Sequence, residues 1–301
     1  MGEQKQRCGF IGVIGAPNAG KSTLVNRIVG AKVSIVSPKV QTTRTRVMGI
    51  VNKGDAQLVF VDTPGIFAPK RRLEKSMVAA AWGGVKDAEV ILLVIDVAHG
   101  KINPETRAII QRLKDTQRKV AGVLNKIDLV KKDKLLALAT ELDAEGVFTD
   151  LYMISALSGD GVERLLSDLE KKAPEGPWMF GEDQITDMPL RLLAAEITRE
   201  KIFIQLGDEL PYASTVETDK WEDFDNGSVK ISQTVYVMRD TQKAIMLGKG
   251  GKRIKTIGAA ARQELEEILE RRVHLSLFVK VRDKWTDDPE RYRDWGLDFN
   301  A

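Results

Sequence analysis

Eight consecutive residues, Gly15-Ala16-Pro17-Asn18-Ala19-Gly20-Lys21-Ser22, constrain this chain more than any other feature. They fit G-x-x-x-x-G-K-[ST] in full and lie between an apolar run, residues 10–14, and a helical pattern, residues 22–29. Glycines let the backbone curl so that amide N–H groups point at phosphate oxygens, and the start of the following helix reinforces the attraction. Lys21 is placed to neutralise β- and γ-phosphates, and Ser22 to ligate Mg²⁺. By itself the loop specifies a nucleoside triphosphate without choosing the base.

The surroundings agree with a buried sheet. Residues 58–61, 90–95, 120–124 and 151–154 form further short apolar runs, separated by amphipathic patterns such as residues 104–115 and 162–172. Fully buried strands alternating with helices imply parallel pairing in a doubly wound sheet, with ligands outside the carboxyl ends of the strands. The longest apolar run, residues 90–95, is far short of the ~20 residues that span a bilayer. Residues 1–8 are polar and lead straight into the first strand, so no secretory leader is expected. One cysteine, Cys8, excludes a disulfide framework, and with His99 and His274 the only histidines, thiolate- or imidazole-rich metal chemistry lacks ligands. A reducing cytoplasm is the expected setting.

Three further segments complete the nucleotide site. Asp62-Thr63-Pro64-Gly65 follows one strand: the aspartate can reach Mg²⁺ through water, and Gly65 can offer its N–H to a γ-phosphate. Asn125-Lys126-Ile127-Asp128 ends another. The Asp128 carboxylate can accept guanine N1–H and the exocyclic amine together; adenine lacks that pair and would leave the charge unpaired. Asn125 would brace the loop, and the Lys126 stem would cover the base. Ser155-Ala156-Leu157, after the last strand, puts the Ala156 N–H within reach of guanine O6. Four elements in this order, each at a strand's carboxyl end, make a GTP site; Thr23, beside Ser22, completes its residue set.

With these motifs in place, the first ~170 residues resemble a translation-factor-class GTPase, and Gln41-Thr42-Thr43-Arg44 resembles the first switch of its ribosome-assembly members. The resemblance implies that Thr43 ligates Mg²⁺ in the GTP state, with Thr42 as the alternative. It also implies that Asn18 ligates a K⁺ ion beside the phosphates, where a cation offsets developing charge as an arginine finger does. Many small GTPases orient the attacking water with a glutamine directly after D-x-x-G; here that position is Ile66, which has no hydrogen-bonding group. Slow intrinsic turnover is expected, with Lys21, Asn18, Thr43 and Gly65 carrying the catalysis.

Residues 174–189, interrupted by Pro174, Gly176, Pro177, Gly181 and Pro189, read as a linker between a first domain, 1–173, and a second, 190–301, with its tail. The second half is a helix (190–206), strands at 214–222 and 229–237, two helices about a glycine turn, and a strand at 273–281: a smaller α+β domain. The turn, Gly248-Lys249-Gly250-Gly251, is a G-x-x-G that can clamp single-stranded RNA, and Lys252, Arg253 and Lys255 follow it. Between residues 241 and 263 stand six basic side chains and no acidic one, an electrostatic footprint in a chain whose net charge is only +3.

The element order and this loop resemble a type II KH domain, and Asp208-Glu209-Leu210-Pro211-Tyr212 resembles the Era family. Over nearly its whole length the chain is similar to the Era-type ribosome-assembly GTPases. That resemblance implies a monomeric switch that binds the small ribosomal subunit near the 3′ end of 16S rRNA. It also implies a part in 30S maturation, from the cytoplasm with peripheral contact at the inner membrane. A GTP-regulated adaptor whose second domain binds a polypeptide is the rival reading; a P-loop kinase would have no use for Asn125 to Asp128. Cys8 and His274 read as structural and His99 as an exposed loop residue, while Trp285 and Trp295 either pack on the sheet or stack on bases.

Overall fold

A computed structural model describes residues 6–86 and 88–301; the polar stretch read as lacking a leader therefore begins, at residues 1–5, outside the described residues. The chain forms two compact units. The first holds the chain up to Ser34, then Thr43–Asp187 and Tyr292–Ala301; the second holds Ile35–Thr42 and Met188–Arg291. Two short segments thus leave the body nearest them in sequence: eight residues after the first helix fold with the second unit, and the last ten return to the first.

The first unit runs β1 (Arg7–Gly15), α1 (Lys21–Val29), β2 (Val47–Lys53), β3 (Ala56–Asp62), α2 (Arg72–Gly83) and β4 (Val90–Asp96). It continues with α3 (Pro104–Asp115), β5 (Val120–Asn125), α4 (Lys132–Asp143), β6 (Phe148–Ile154) and α5 (Val162–Lys172). Its sheet has the order β2-β3-β1-β4-β5-β6, parallel except for β2. β3 and β5 are buried at every position, which is why they read as unbroken apolar runs rather than alternating ones. Helices cover both faces: α5, for example, buries Val162, Leu165, Leu166 and Leu169 on one stripe. At roughly 1.5–3 kcal/mol for each fully buried aliphatic side chain, tertiary packing rather than propensity fixes that helix.

Sequence periodicity missed β2. This strand hydrogen-bonds β3 antiparallel at the sheet edge and carries Gly49, Asn52 and Lys53, which weaken the apolar signal. Gly49 is required by packing: a Cβ there would meet the methyls of Val25 at 2.7 Å and Val29 at 2.8 Å, both on α1. The linker is also ordered. Ile185 O accepts from Ile50 N at 2.9 Å, Trp178 Nε1 donates to Asp55 O at 3.1 Å, and the buried Gln57 carboxamide takes the amides of Met179 and Phe180, both at 2.9 Å.

The second unit runs α6 (Leu190–Gln205), β7 (Ser214–Asp223), β8 (Val229–Val237), α7 (Asp240–Leu247), α8 (Lys252–Leu269) and β9 (Val273–Val281); α9 (Pro289–Asp294) follows. β7 and β8 are antiparallel, β8 and β9 parallel, in the order β7-β8-β9. Leu193 and Ile197 of α6, Ile231 of β8, Ala261 and Leu265 of α8 and Val273 of β9 share one core with Ile35. Trp285 is fully buried and donates to Ala213 O at 3.0 Å, so of the two readings left open by sequence it packs. Cys8 is buried, His99 lies on an exposed turn, and the His274 ring meets Phe224 edge-on at 6.2 Å. No helix among the described residues is long and apolar enough to cross a membrane.

Candidate nucleotide site and nucleic-acid interface

The carboxyl ends of β1, β3, β5 and β6 bring the four sequence segments together in the first unit. The loop between β1 and α1 takes its shape from left-handed backbone at Asn18 (φ 60°) and Gly20 (φ 94°). A side chain at Gly20 would strike Asn125 Nδ2 at 2.2 Å, and one at Gly15 would strike Val94 O at 2.4 Å. Ala16 and Ala19 are buried against this frame, while Asn18 is exposed at the crest and Pro17 and Thr23 half-buried. Lys21 is 6% exposed, its Nζ donating to Gly15 O at 3.2 Å and Ala16 O at 3.0 Å. Burial pulls the Lys21 ammonium down to about 8, opposed by the charge of Asp62.

Asp62 ends β3 in complete burial. Its Oδ2 accepts from Ser22 Oγ at 2.6 Å and Ser34 Oγ at 2.8 Å, and Thr43 Oγ1 stands 2.9 Å from Ser22 Oγ. The other carboxylate oxygen, Oδ1, is buried with no hydrogen-bond partner. Burial pushes this carboxyl up, against the hydrogen bond from Ser22 and the charge of Lys21. Two hydroxyls and an orphaned carboxylate oxygen converging beside a phosphate loop are the hard oxygen donors that Mg²⁺ takes, alongside phosphates and waters. Thr42 belongs to the second unit, where its hydroxyl donates to Lys39 O at 2.8 Å and meets Ser37 Oγ at 2.5 Å.

The D-x-x-G turn lies directly against the phosphate loop. Thr63 Oγ1 donates to Val13 O at 2.7 Å, and a Cβ on Gly65 would meet Pro17 Cα at 2.9 Å. Ile66 donates its amide to Gly15 O at 3.0 Å and buries its side chain in the sheet's core cluster. The position that a water-orienting glutamine would occupy is therefore a core position here.

Asn125 knits the base-side loops together. Its Nδ2 donates to Ala19 O at 2.8 Å, and its Oδ1 accepts from Lys126 N at 2.8 Å and Ala156 N at 2.9 Å. The Ala156 N–H, assigned by sequence to a base carbonyl, is thus engaged by Asn125. Asp128 sits exposed in a single helical turn, Ile127–Leu129, and Leu157 is exposed at the rim; Ser155 Oγ accepts from Ser158 N at 3.2 Å. Lys126 adopts left-handed backbone (φ 71°) and pins its ammonium on Asp96 Oδ2 at 2.6 Å. Sequence reading missed Asp96, Ser34 and Arg27, whose Nε donates to Ala156 O at 3.2 Å. Asp96 ends a central strand, a signal that was available; Ser34 and Arg27 reach the site only through long-range packing.

In the second unit the G-x-x-G turn joins α7 to α8 with left-handed backbone at Gly250 (φ 60°) and Gly251 (φ 74°). Lys249, Lys252 and Lys255 are exposed around it, and Gly250 faces open space. Arg253 has a second duty, since its Nη1 donates to Ile245 O at 2.8 Å and ties the two helices across the turn. A side chain on Gly248 would meet Arg253 Cβ at 2.7 Å. Phe278 on the edge strand β9 is 54% exposed and Ile245 on α7 50%, apolar surface that the sequence reading did not assign.

Comparison with known proteins fits this geometry. The family described as "50S ribosome-binding GTPase" matches residues 10–126, and "KH domain" matches residues 209–286. GTPase Era of Mesorhizobium japonicum is 57% identical over 291 residues, covering 97% of this chain and 94% of that protein. The chain belongs to the Era GTPase family. As a member it hydrolyses GTP to GDP and phosphate. GTPase Era of Rhizobium meliloti is 58% identical over 293 residues, covering 97% and 93%. An Era crystal structure in complex with MgGDPNP and nucleotides 1506–1542 of 16S ribosomal RNA superposes with a TM-score of 0.90 at 42% identity, covering 97% of this chain and 99% of that one. A point variant of Aquifex aeolicus Era bound to GDP and aluminium fluoride gives the same values.

Proposed function

We propose that this Era-family GTPase is a switch whose second unit holds the 3′ region of 16S rRNA on the small ribosomal subunit during its maturation. The observation that carries the reading is the exposed, lysine-flanked G-x-x-G turn in the same chain as the phosphate-loop, D-x-x-G and N-K-x-D turns. Glycine at 250, with nothing within 4 Å of where a side chain would stand, leaves room for a phosphate to approach the backbone. Phe278 and Ile245 supply apolar surface on which unstacked bases can lie. The Era structure solved with 16S nucleotides supports the choice of RNA. The proposed setting is a monomer in the cytoplasm, with peripheral contact at the cell membrane.

At the GTP site, water attacks the γ-phosphorus while the bond to the β–γ bridging oxygen breaks, releasing GDP and phosphate. Lys21 and the loop amides hold the β- and γ-phosphates, Gly65 N–H faces the γ-phosphate, and Asp128 selects guanine. Ser22, Thr43 and Asp62 would hold Mg²⁺, which neutralises charge on the phosphate oxygens. Asn18, exposed at the loop's crest, would hold K⁺ for the same purpose. With Ile66 in the core, the water is positioned by backbone groups or by a group outside the motif, and turnover is slow.

The test is binding of a single-stranded RNA copied from the 3′ end of 16S rRNA across a range of salt. The wild type should bind with affinity that falls steeply as salt rises, and replacement of Lys249 and Gly250 by aspartates should abolish binding. The same double variant should keep nucleotide affinity within about threefold, because phosphate contacts in the turn are what it removes. Wild-type RNA affinity in a folded double variant would sink the RNA reading and favour a polypeptide-binding adaptor.

A further inference from the structure

Asp62 takes two hydroxyls on one oxygen, and they come from different parts of the first unit. Ser22 follows the phosphate-loop lysine, and its Oγ donates to Asp62 Oδ2 at 2.6 Å. Ser34 lies past the end of α1, and its Oγ donates to the same oxygen at 2.8 Å. The other oxygen, Oδ1, is buried with no hydrogen-bond partner among the described residues. The two oxygens of a carboxylate are equivalent, and a half-turn about the Cβ–Cγ bond exchanges them. Two donors on Oδ2 and none on Oδ1 remove that equivalence, which leaves Oδ1 as the oxygen free for a cation or a water bound to it.

The two donors are not alike. Ser22 is itself a candidate ligand, 2.9 Å from Thr43 Oγ1, so its hydroxyl has to serve the cation and the carboxylate together. Ser34 is 2% exposed and gives its single hydroxyl proton to Asp62. Its backbone is fixed by Asn26, half-buried on α1. The Asn26 Nδ2 donates to Ser34 O at 2.7 Å, and its Oδ1 accepts from Ser34 N at 2.9 Å and from Val33 N at 3.0 Å. One carboxamide thus holds both backbone polar groups of Ser34, beside Val33, which is 1% exposed. With its backbone held at donor and acceptor, Ser34 keeps χ1 as its one free rotation, and the bond to Asp62 selects the rotamer. Asn26, Ser34 and Asp62 all belong to the first unit.

We infer that Ser34, held by Asn26, is a positioning residue for Asp62, keeping the unbonded carboxylate oxygen turned toward the divalent cation that accompanies the nucleotide. The inference rests on Asp62 facing that cation, as proposed above. Ligating carboxylates are hydrogen-bonded in their turn, and loss of such an outer partner weakens metal binding by about 10- to 100-fold.

The experiment uses the full chain saturated with GDP and titrated with Mn²⁺, the free ion being counted by electron paramagnetic resonance. Mn²⁺ takes the same carboxylate and water oxygens as Mg²⁺. Ser34→Ala should raise the Mn²⁺ dissociation constant roughly 10- to 100-fold. GDP affinity measured in EDTA should stay within about twofold, which a general loosening of the site would not allow. Asn26→Ala should raise the Mn²⁺ constant in the same direction, and Ser34→Ala added to it should cost little more, because both act on one contact. Asp62→Asn tests the underlying reading separately: an unchanged Mn²⁺ constant there would remove Asp62 from the cation. Where Asp62→Asn does weaken Mn²⁺, a wild-type constant in folded Ser34→Ala would overturn the inference, as would equal losses of Mn²⁺ and of metal-free GDP binding. Full additivity of Asn26→Ala and Ser34→Ala would overturn the part given to Asn26. Should Ser34→Ala not fold, Asn26→Ala carries the test from a less buried position. It should show the same selective loss of Mn²⁺, and an unchanged constant there would equally overturn the proposal.

Discussion

Removing the Asn125 side chain should loosen the nucleotide site from its base side. Asn125→Ala deletes three hydrogen bonds at once: one to Ala19 O in the phosphate loop, one from Lys126 N and one from Ala156 N. Ala19 and Ala156 are buried, so their groups lose a partner that water replaces poorly, at about 1–3 kcal/mol each. Lys126 is half-exposed, and its amide should lose only about 1 kcal/mol. The sum is roughly 3–7 kcal/mol, with the lower end expected because a water can enter the vacated space. At about 2–4 °C per kcal/mol for a unit of this size, thermal unfolding of the first unit should shift down by some 6–12 °C at the lower end of that loss. Asn125→Asp separates the contributions: it preserves both acceptor bonds and removes only the donation to Ala19 O, placing a carboxylate against that carbonyl. Calorimetric unfolding and GDP titration of the two variants provide the assay. Asn125→Asp should retain the fold better than Asn125→Ala while still weakening GDP. A stability loss under about 1 kcal/mol for Asn125→Ala would refute the claim that this side chain braces the loops.

Three other outcomes are expected. Asp128→Asn should weaken GTP and shift preference toward xanthosine triphosphate, whose carbonyl replaces the exocyclic amine and suits an amide donor; unchanged GTP preference in competition binding would remove Asp128 from the base. GTP turnover should be faster in K⁺ than in Na⁺, and Asn18→Ala should erase the difference with GDP affinity largely intact; equal rates for the wild type in both salts would defeat the K⁺ assignment. Lys21 should take up a proton as nucleotide binds above pH 8. Burial depresses the ammonium to about 8, so the free protein binds fewer protons than the unfolded chain between pH 8 and the normal lysine value, and its own stability rises with pH across that window. Phosphate restores the charged form, so GDP affinity should fall as pH rises through 8, with proton uptake seen by titration calorimetry in buffers of different ionisation enthalpy. A flat profile from pH 7 to 9.5 would contradict it.

The last ten residues return to the first unit, where Trp295 lies 6.0 Å from the Arg44 guanidinium and Phe299 lies 4.4 Å from that of Arg72. Arg44 follows Thr43 and Arg72 opens the helix after the D-x-x-G turn, so aromatic rings from the chain's end rest on residues flanking both nucleotide-sensing segments.

Local sequence determined the nucleotide chemistry, because each motif is a contiguous turn whose residue types and backbone angles work over four to eight positions. Gly15, Gly20, Lys21, Asp62, Asn125 and the G-x-x-G turn could be read directly, and the parallel sheet followed from buried apolar runs that place those turns at one edge. Tertiary structure decided what holds the turns in place. β2 is an edge strand recognisable by its pairing with β3 and not by its own pattern, and Ser34 reaches Asp62 through a loop of no particular sequence. Ile66 could be seen to lack a hydrogen-bonding group, but its burial in the core could not. Arg199 looks in sequence like one more charge on an amphipathic helix; its burial and its bond to Thr42 arise from residues 157 apart. Spacing along the chain reports contacts made within a turn or two of helix or strand, whereas a bond across that separation depends on how the intervening elements pack, and no local pattern records it.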